Sequence, residues 1–370
     1  MKPLDSWMYP SSAESPPSLE VCSAVGIRLG KVLASIHCDA TLLLKSQTLT
    51  DEGKPWFENP DTKDFVRNEI VGKVLPILRP WIDPDTGRTE EIARIISQDF
   101  EHSFLDALYL SSSPPLGIPQ LMFSMGDLWT GSIIVGASSA ASSSDPGFDA
   151  VTEVDVGLID WEFASPARIG QDIAQLSAWL YLFSTSSDWS STEPHRHRAV
   201  LDTIATSPIP GAGPSKSGLD FGAGVSHGGA KPVRDETLGW QSAAGALLNA
   251  LLVAYARKVR DYPDYAWFVD EDHEQRRYRG ERLAVIRSIW ILFGREVVYN
   301  VVEAKGRFVG FFAAGVDGDE TEEIKMWQRE MIEVGCWYVL MAGDSPDEEF
   351  EETVRRESML RRIYTVSGPL

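Results

Sequence analysis

With 370 residues, 43% of them hydrophobic, the chain can bury the core of one large domain or two ordinary ones. Its 54 acidic residues against 34 basic ones leave a formal charge of −20. A surface that negative repels phosphate backbones and anionic lipid, which excludes nucleic acid and membrane surfaces as expected partners.

Residues 1–19, rich in Pro and Ser and without a clear period, read as a leader or hinge. From Glu20 to His37 the apolar residues Val21, Val25, Leu29, Val32, Leu33 and Ile36 recur at helical spacing and predict an amphipathic helix. Two more helices are predicted over 63–82 and 88–110, separated by the turn-forming Asp83-Pro84-Asp85-Thr86-Gly87. Leu121–Phe123, Ile133–Val135 and Val154–Ile159 are apolar runs of strand length. Between the last two lies a stretch dominated by Ser, Ala and Gly, from Ala137 to Ala150. Met122–Trp161 therefore reads as a small central β-hairpin with an irregular tip. Helical periodicity resumes at Gln171–Phe183 and breaks at a Ser-, Gly- and Pro-rich insertion over 184–234. It returns over 236–260, 280–305, 320–341 and 347–363. The expected fold class is α+β, predominantly α-helical. One unit spans 20–370, with flexible insertions near 137–152 and 184–234.

Cys22, Cys38 and Cys336 are scattered, and an odd count without a Cys-x-x-Cys pair excludes a disulfide framework. Met1–Pro10 lacks the apolar core of a secretory signal. The apolar stretches near 243–256 and 286–293 are too short or too interrupted to span a bilayer. A cytoplasmic location is expected.

Chemistry concentrates in Ser124-Met125-Gly126-Asp127-Leu128-Trp129-Thr130-Gly131-Ser132 and in Leu158-Ile159-Asp160-Trp161-Glu162. Asp127 follows a strand and sits in a tight loop with Gly126 and Gly131 close by. Asp160 closes a second strand, and Glu162 stands two residues on. Should the strands pair, all three carboxylates converge at one end of the hairpin. Adjacent carboxylates raise each other's pKa, a cost that a hard cation such as Mg²⁺ between them offsets. Carboxylates around Mg²⁺ with another aimed at a hydroxyl are what phosphoryl transfer requires.

These two stretches resemble the catalytic loop and metal motif of the aminoglycoside phosphotransferase, choline kinase and methylthioribose kinase superfamily. The matches are Gly126, Asp127, Asp160 and Glu162. Gly170-Gln171-Asp172-Ile173 is similar to the family's buried aspartate segment, which braces the catalytic loop. Leu33-Ala34-Ser35-Ile36-His37 is similar to the end of the helix after the interlobe hinge. The resemblance implies the C-lobe of the protein-kinase-like fold, with the small hairpin at its centre. It also implies that ATP and Mg²⁺ are used to phosphorylate a small-molecule alcohol. Under it, Asp127 orients or deprotonates the acceptor hydroxyl, and Asp160 binds Mg²⁺ bridging the ATP phosphates. Ser132 assists the metal or a metal-bound water, and Glu162 supports metal or substrate.

The chain departs from the family pattern in three ways. Met125 stands where His is usual, and Ser132 where Asn is commoner, a serine shared with the methylthioribose kinase branch. The helix from Glu20 begins soon after the start, and Lys2 is the only lysine ahead of it. The N-terminal lobe, with its phosphate-covering loop and lysine, is therefore expected to be largely missing. The alternatives are a non-catalytic, pseudokinase-like binding or scaffold protein, or a truncated gene product. Gly222-Ala223-Gly224-Val225-Ser226-His227-Gly228 follows no strand and reads as a solvated insertion. His195 and His197 lack metal-spaced partners. Asp317-Gly318-Asp319 reads as a solvated helix start.

Overall fold

The computed structural model of the protein describes residues 1–10, 15–46, 60–83, 86–109, 121–137, 154–189, 242–263, 265, 279–308, 311–312, 321–357 and 360. His195, His197, the 222–228 glycine segment and Asp317–Asp319 lie outside these, as do 138–152 and 190–234 of the two expected insertions.

The architecture is α+β and predominantly helical, with two small antiparallel sheets among the described residues. In chain order the elements begin with β1 (Lys2–Pro3), α1 (Leu4–Met8) and α2 (Leu19–Ser46). Then α3 (Pro60–Phe65) continues through a π-turn at Val66–Val71 into α4 (Gly72–Leu78), and α5 (Arg88–Tyr109) follows. The strands are β2 (Leu121–Ser124), β3 (Ile133–Ala137), β4 (Val154–Leu158) and β5 (Ser165–Arg168). The last helices are α6 (Gln171–Trp189), α7 (Ala243–Val259), α8 (Arg279–Glu303), α9 (Glu322–Asp344) and α10 (Asp347–Glu357). Among the described residues no helix is long and apolar enough to cross a membrane.

The predicted helices are all present, with shifted ends. Helix α2 runs well past His37, and α6 runs past Phe183 into the segment expected as an insertion. Residues 2–8 also differ from the expected leader. Lys2 pairs with Val135, and α1 buries Leu4 and Met8 completely. Two apolar residues one turn apart are too short a signal for periodicity to register.

Helix packing fixes the frame of the site. Gly26 and Gly30, one turn apart on α2, lie against the backbone of α7, where a Cβ would strike the Leu247 and Leu251 carbonyls. Gly294 and Gly335 let α8 and α9 approach in the same way. Close approach of this kind needs residues without side chains at the crossing. Helix α6 lies among α7, α8 and α9, and Trp290, Phe293 and Trp327 are buried in the core they share.

The single hairpin expected over 122–161 is two separate ribbons. Strand β3 pairs with β4, Ile133 opposite Leu158, and β1 adds to the outer edge of β3. Strand β2 pairs instead with β5, Ser124 opposite Ser165 and Leu121 opposite Arg168. Ser165-Pro166-Ala167-Arg168 shows no apolar alternation, so no strand signal was available. Its proline is tolerated because each strand of a two-stranded ribbon has a free edge.

Candidate active site

The two ribbons create the site by their connections. Loop 125–132 leads from the end of β2 to the start of β3. Turn 159–164 leads from the end of β4 to the start of β5. Since β2 pairs with β5 and β3 with β4, the two connections lie side by side. The Ile159 N–H donates to the Ser132 carbonyl at 2.9 Å, extending the β3–β4 ladder into the turn. At the other end Gly126, at φ +85°, passes so close to Phe163 that any Cβ there would meet the Phe163 carbonyl. Glycine is required at that crossing by conformation and by space.

Asp160 adopts a left-handed φ of 65°, the only described residue other than glycine to do so. Aspartate tolerates this region better than most residues. Asp160 and Glu162 are exposed at the turn. Trp161 between them is 40% exposed, and its indole N–H donates to the Leu158 carbonyl at 3.1 Å. The ring stacks on Phe123, with centroids 6.1 Å apart.

Asp127 is half-buried. Burial first, then the negative charges of Glu296, Glu162, Asp172 and Asp160, push its carboxyl from an ordinary 3.8 up to about 6. The site carboxylates thus share one electrostatic neighbourhood. They do not close into a nest: among the described residues, no three of His, Cys, Asp or Glu are grouped so as to hold one ion. The turn leaves Asp160 and Glu162 in solvent while the loop draws Asp127 inward.

Ser132 is fully buried. Its hydroxyl accepts from the Trp129 N–H at 3.1 Å and donates to the Trp129 carbonyl at 2.8 Å, closing the turn Thr130–Ser132. The hydroxyl proton is spent on the loop. At most one oxygen lone pair is left for the metal role that the resemblance implies.

Asp172, in the first turn of α6, is the centre of the loop's support. It accepts from Ser124 Oγ at 2.6 Å, Met125 N at 2.7 Å, Gly126 N at 3.1 Å and His37 Nε2 at 2.9 Å. Burial pushes its carboxyl up, but these hydrogen bonds outweigh burial and hold it below the ordinary 3.8. His37 Nδ1 meets the Tyr255 hydroxyl at 3.0 Å, so α2 and α7 both feed this network. Gln175, one turn along α6, donates Nε2 to the Gly126 carbonyl at 3.2 Å.

Two contributors were not identified in the sequence. Glu296 on α8 is the largest charge acting on Asp127. It is 4% exposed and accepts from Arg295 Nη2 at 2.6 Å and Asn300 Nδ2 at 3.2 Å. Its signal was an Arg-Glu pair inside the mainly apolar stretch from Ile289 to Val302. Gln175 carried no comparable signal, because nothing in α6 marks which polar residue faces the loop.

Hard oxygen donors are the correct chemistry for Mg²⁺, which commonly takes one or two protein carboxylates and completes its shell with phosphate oxygens and water. Asp160 and Glu162 fit that partial donor set. Compared with models of protein families, with curated proteins and with solved structures, the chain matches none.

Proposed function

We propose that the protein is an ATP-dependent phosphotransferase acting on a small-molecule hydroxyl, built on the C-lobe of a protein-kinase-like fold. The observation that carries this reading is the side-by-side course of loop 125–132 and turn 159–164 over the buried Asp172 brace. That arrangement gives each carboxylate a separate environment, and environment sets role. Asp127, half-buried and lifted to about 6, is poised to accept a proton near neutral pH or to orient an acceptor hydroxyl. Asp160 and Glu162, kept in solvent, would hold Mg²⁺. The metal, when bound, neutralises charge on the transferred phosphoryl group. Asp172, His37 and Gln175 hold the loop so that Asp127 need not reorganise during reaction, and positioning is the larger part of this chemistry.

The test is a pair of measurements on the full chain. Millimolar MgATP should raise the unfolding temperature by mass action, and Asp160→Asn should remove that rise. Transfer of labelled γ-phosphate to a panel of small alcohols should be lost in Asp127→Asn. No thermal shift and no transfer would overturn the assignment.

A further inference from the structure

Behind the loop that carries Asp127 lies a cavity that the proposed chemistry does not use. It is lined by Asp99 of α5, Arg168 of β5, Gln175 of α6, and Ser288 and Arg295 of α8, among others. Gln175 and Arg295 are 4% and 5% exposed, and Gln175 Oε1 and Arg295 Nε are buried without a hydrogen-bond partner. The same side chains are otherwise engaged. Gln175 Nε2 donates to the Gly126 carbonyl, and Arg295 Nη2 donates to Glu296. Buried polar atoms are rarely left unpaired, so each of the two orphans points to an occupant.

The donor and acceptor balance identifies that occupant. Arg295 Nε–H needs an acceptor, and Gln175 Oε1 needs a donor. An anion without a proton could serve only the arginine, a cation only the amide oxygen, and a protonated oxyanion is too large for about 20 Å³. Water serves both. The cavity measures about 20 Å³, above the roughly 10–15 Å³ needed to hold one water. We propose that one ordered water sits here, accepting from Arg295 Nε–H and donating to Gln175 Oε1. It joins the Gly126 carbonyl, through Gln175, to the Arg295–Glu296 pair on α8. It also fixes which way the Gln175 amide faces, because its oxygen turns to the water and its nitrogen to Gly126. The loop-stiffening role of this water rests on the phosphotransferase reading. The water itself does not, and its test needs neither nucleotide nor acceptor.

The experiment is a high-resolution crystal structure of the unliganded full chain, alongside Arg295→Lys. That substitution keeps a cation beside Glu296 but removes the Nε–H. The expected result is a density peak within hydrogen-bond distance of both Arg295 Nε and Gln175 Oε1, absent from the variant. In solution, a slowly exchanging water should transfer magnetisation to the Gln175 side-chain amide protons of the unsubstituted protein, which keeps the test independent of whether the variant folds. A dry cavity, an amide flipped to face Gly126 with its oxygen, or a water retained unchanged in Arg295→Lys would each overturn the proposal.

Discussion

Replacing Asp172 with Ala tests the brace on which the site depends. The carboxylate accepts four hydrogen bonds from Ser124, Met125, Gly126 and His37, at 2.6 to 3.1 Å, in a fully enclosed position. Without it the Met125 amide loses its acceptor, at a cost of about 1–3 kcal/mol. The charge-assisted bonds from Ser124 and His37 each represent roughly 1.5–3 kcal/mol before any re-pairing. Recovery is partial: Gly126 N–H retains Ser124 Oγ at 3.1 Å, and His37 retains Tyr255. We expect a net loss of about 4 kcal/mol, a large fraction of the roughly 5–15 kcal/mol that holds an ordinary domain folded. Asp172→Asn should lose less, since its amide oxygen still serves one donor. Urea unfolding followed by circular dichroism at neutral pH measures both. A second arm uses pH. The folded carboxyl is held below its ordinary 3.8, so its contribution is complete above that value and lost as pH falls through the lowered one. The unsubstituted protein should therefore lose more stability in acid than Asp172→Asn does. A loss under about 0.5 kcal/mol in Asp172→Ala, the range of an ordinary exposed substitution, would refute the reasoning.

Asp127 should behave in the opposite sense. Its carboxyl is raised from 3.8 to about 6, and each unit corresponds to ~1.4 kcal/mol, so holding it ionised costs the fold about 3 kcal/mol at neutral pH. Asp127→Asn should raise the urea midpoint at pH 7.5, and the gain should shrink as pH falls through 6 toward 4, even as transfer activity disappears. Gly126→Ala places a Cβ against the Phe163 carbonyl at a positive φ. The backbone conformation alone costs about 1–3 kcal/mol, so thermal unfolding should shift clearly downward, and an unchanged unfolding temperature would contradict the close passage of loop and turn.

Helices and strands were legible where a period was long enough to count. The α5 and α9 stretches carried three or more turns of apolar spacing and formed close to the predicted bounds. Ser165–Arg168 and Leu4–Met8 carried too few residues to show a period, and both turned out to be packed elements. Asp127, Asp160 and Glu162 stood out because the glycines and apolar runs around them are local features. Glu296 was hidden because its influence on Asp127 crosses from another helix.

The amino-acid order by itself determined a mainly helical α+β chain and the strand-ended acidic segments. These are matters of local propensity and spacing, carried by neighbours in the chain. Only the tertiary structure decided that β2 joins β5, that Asp160 and Glu162 stay in solvent while Asp127 is drawn inward, and that Glu296 adds its charge to the burial that raises Asp127. Strand partner choice and electrostatic fields depend on distances through space, and those distances exist only once the helices have packed.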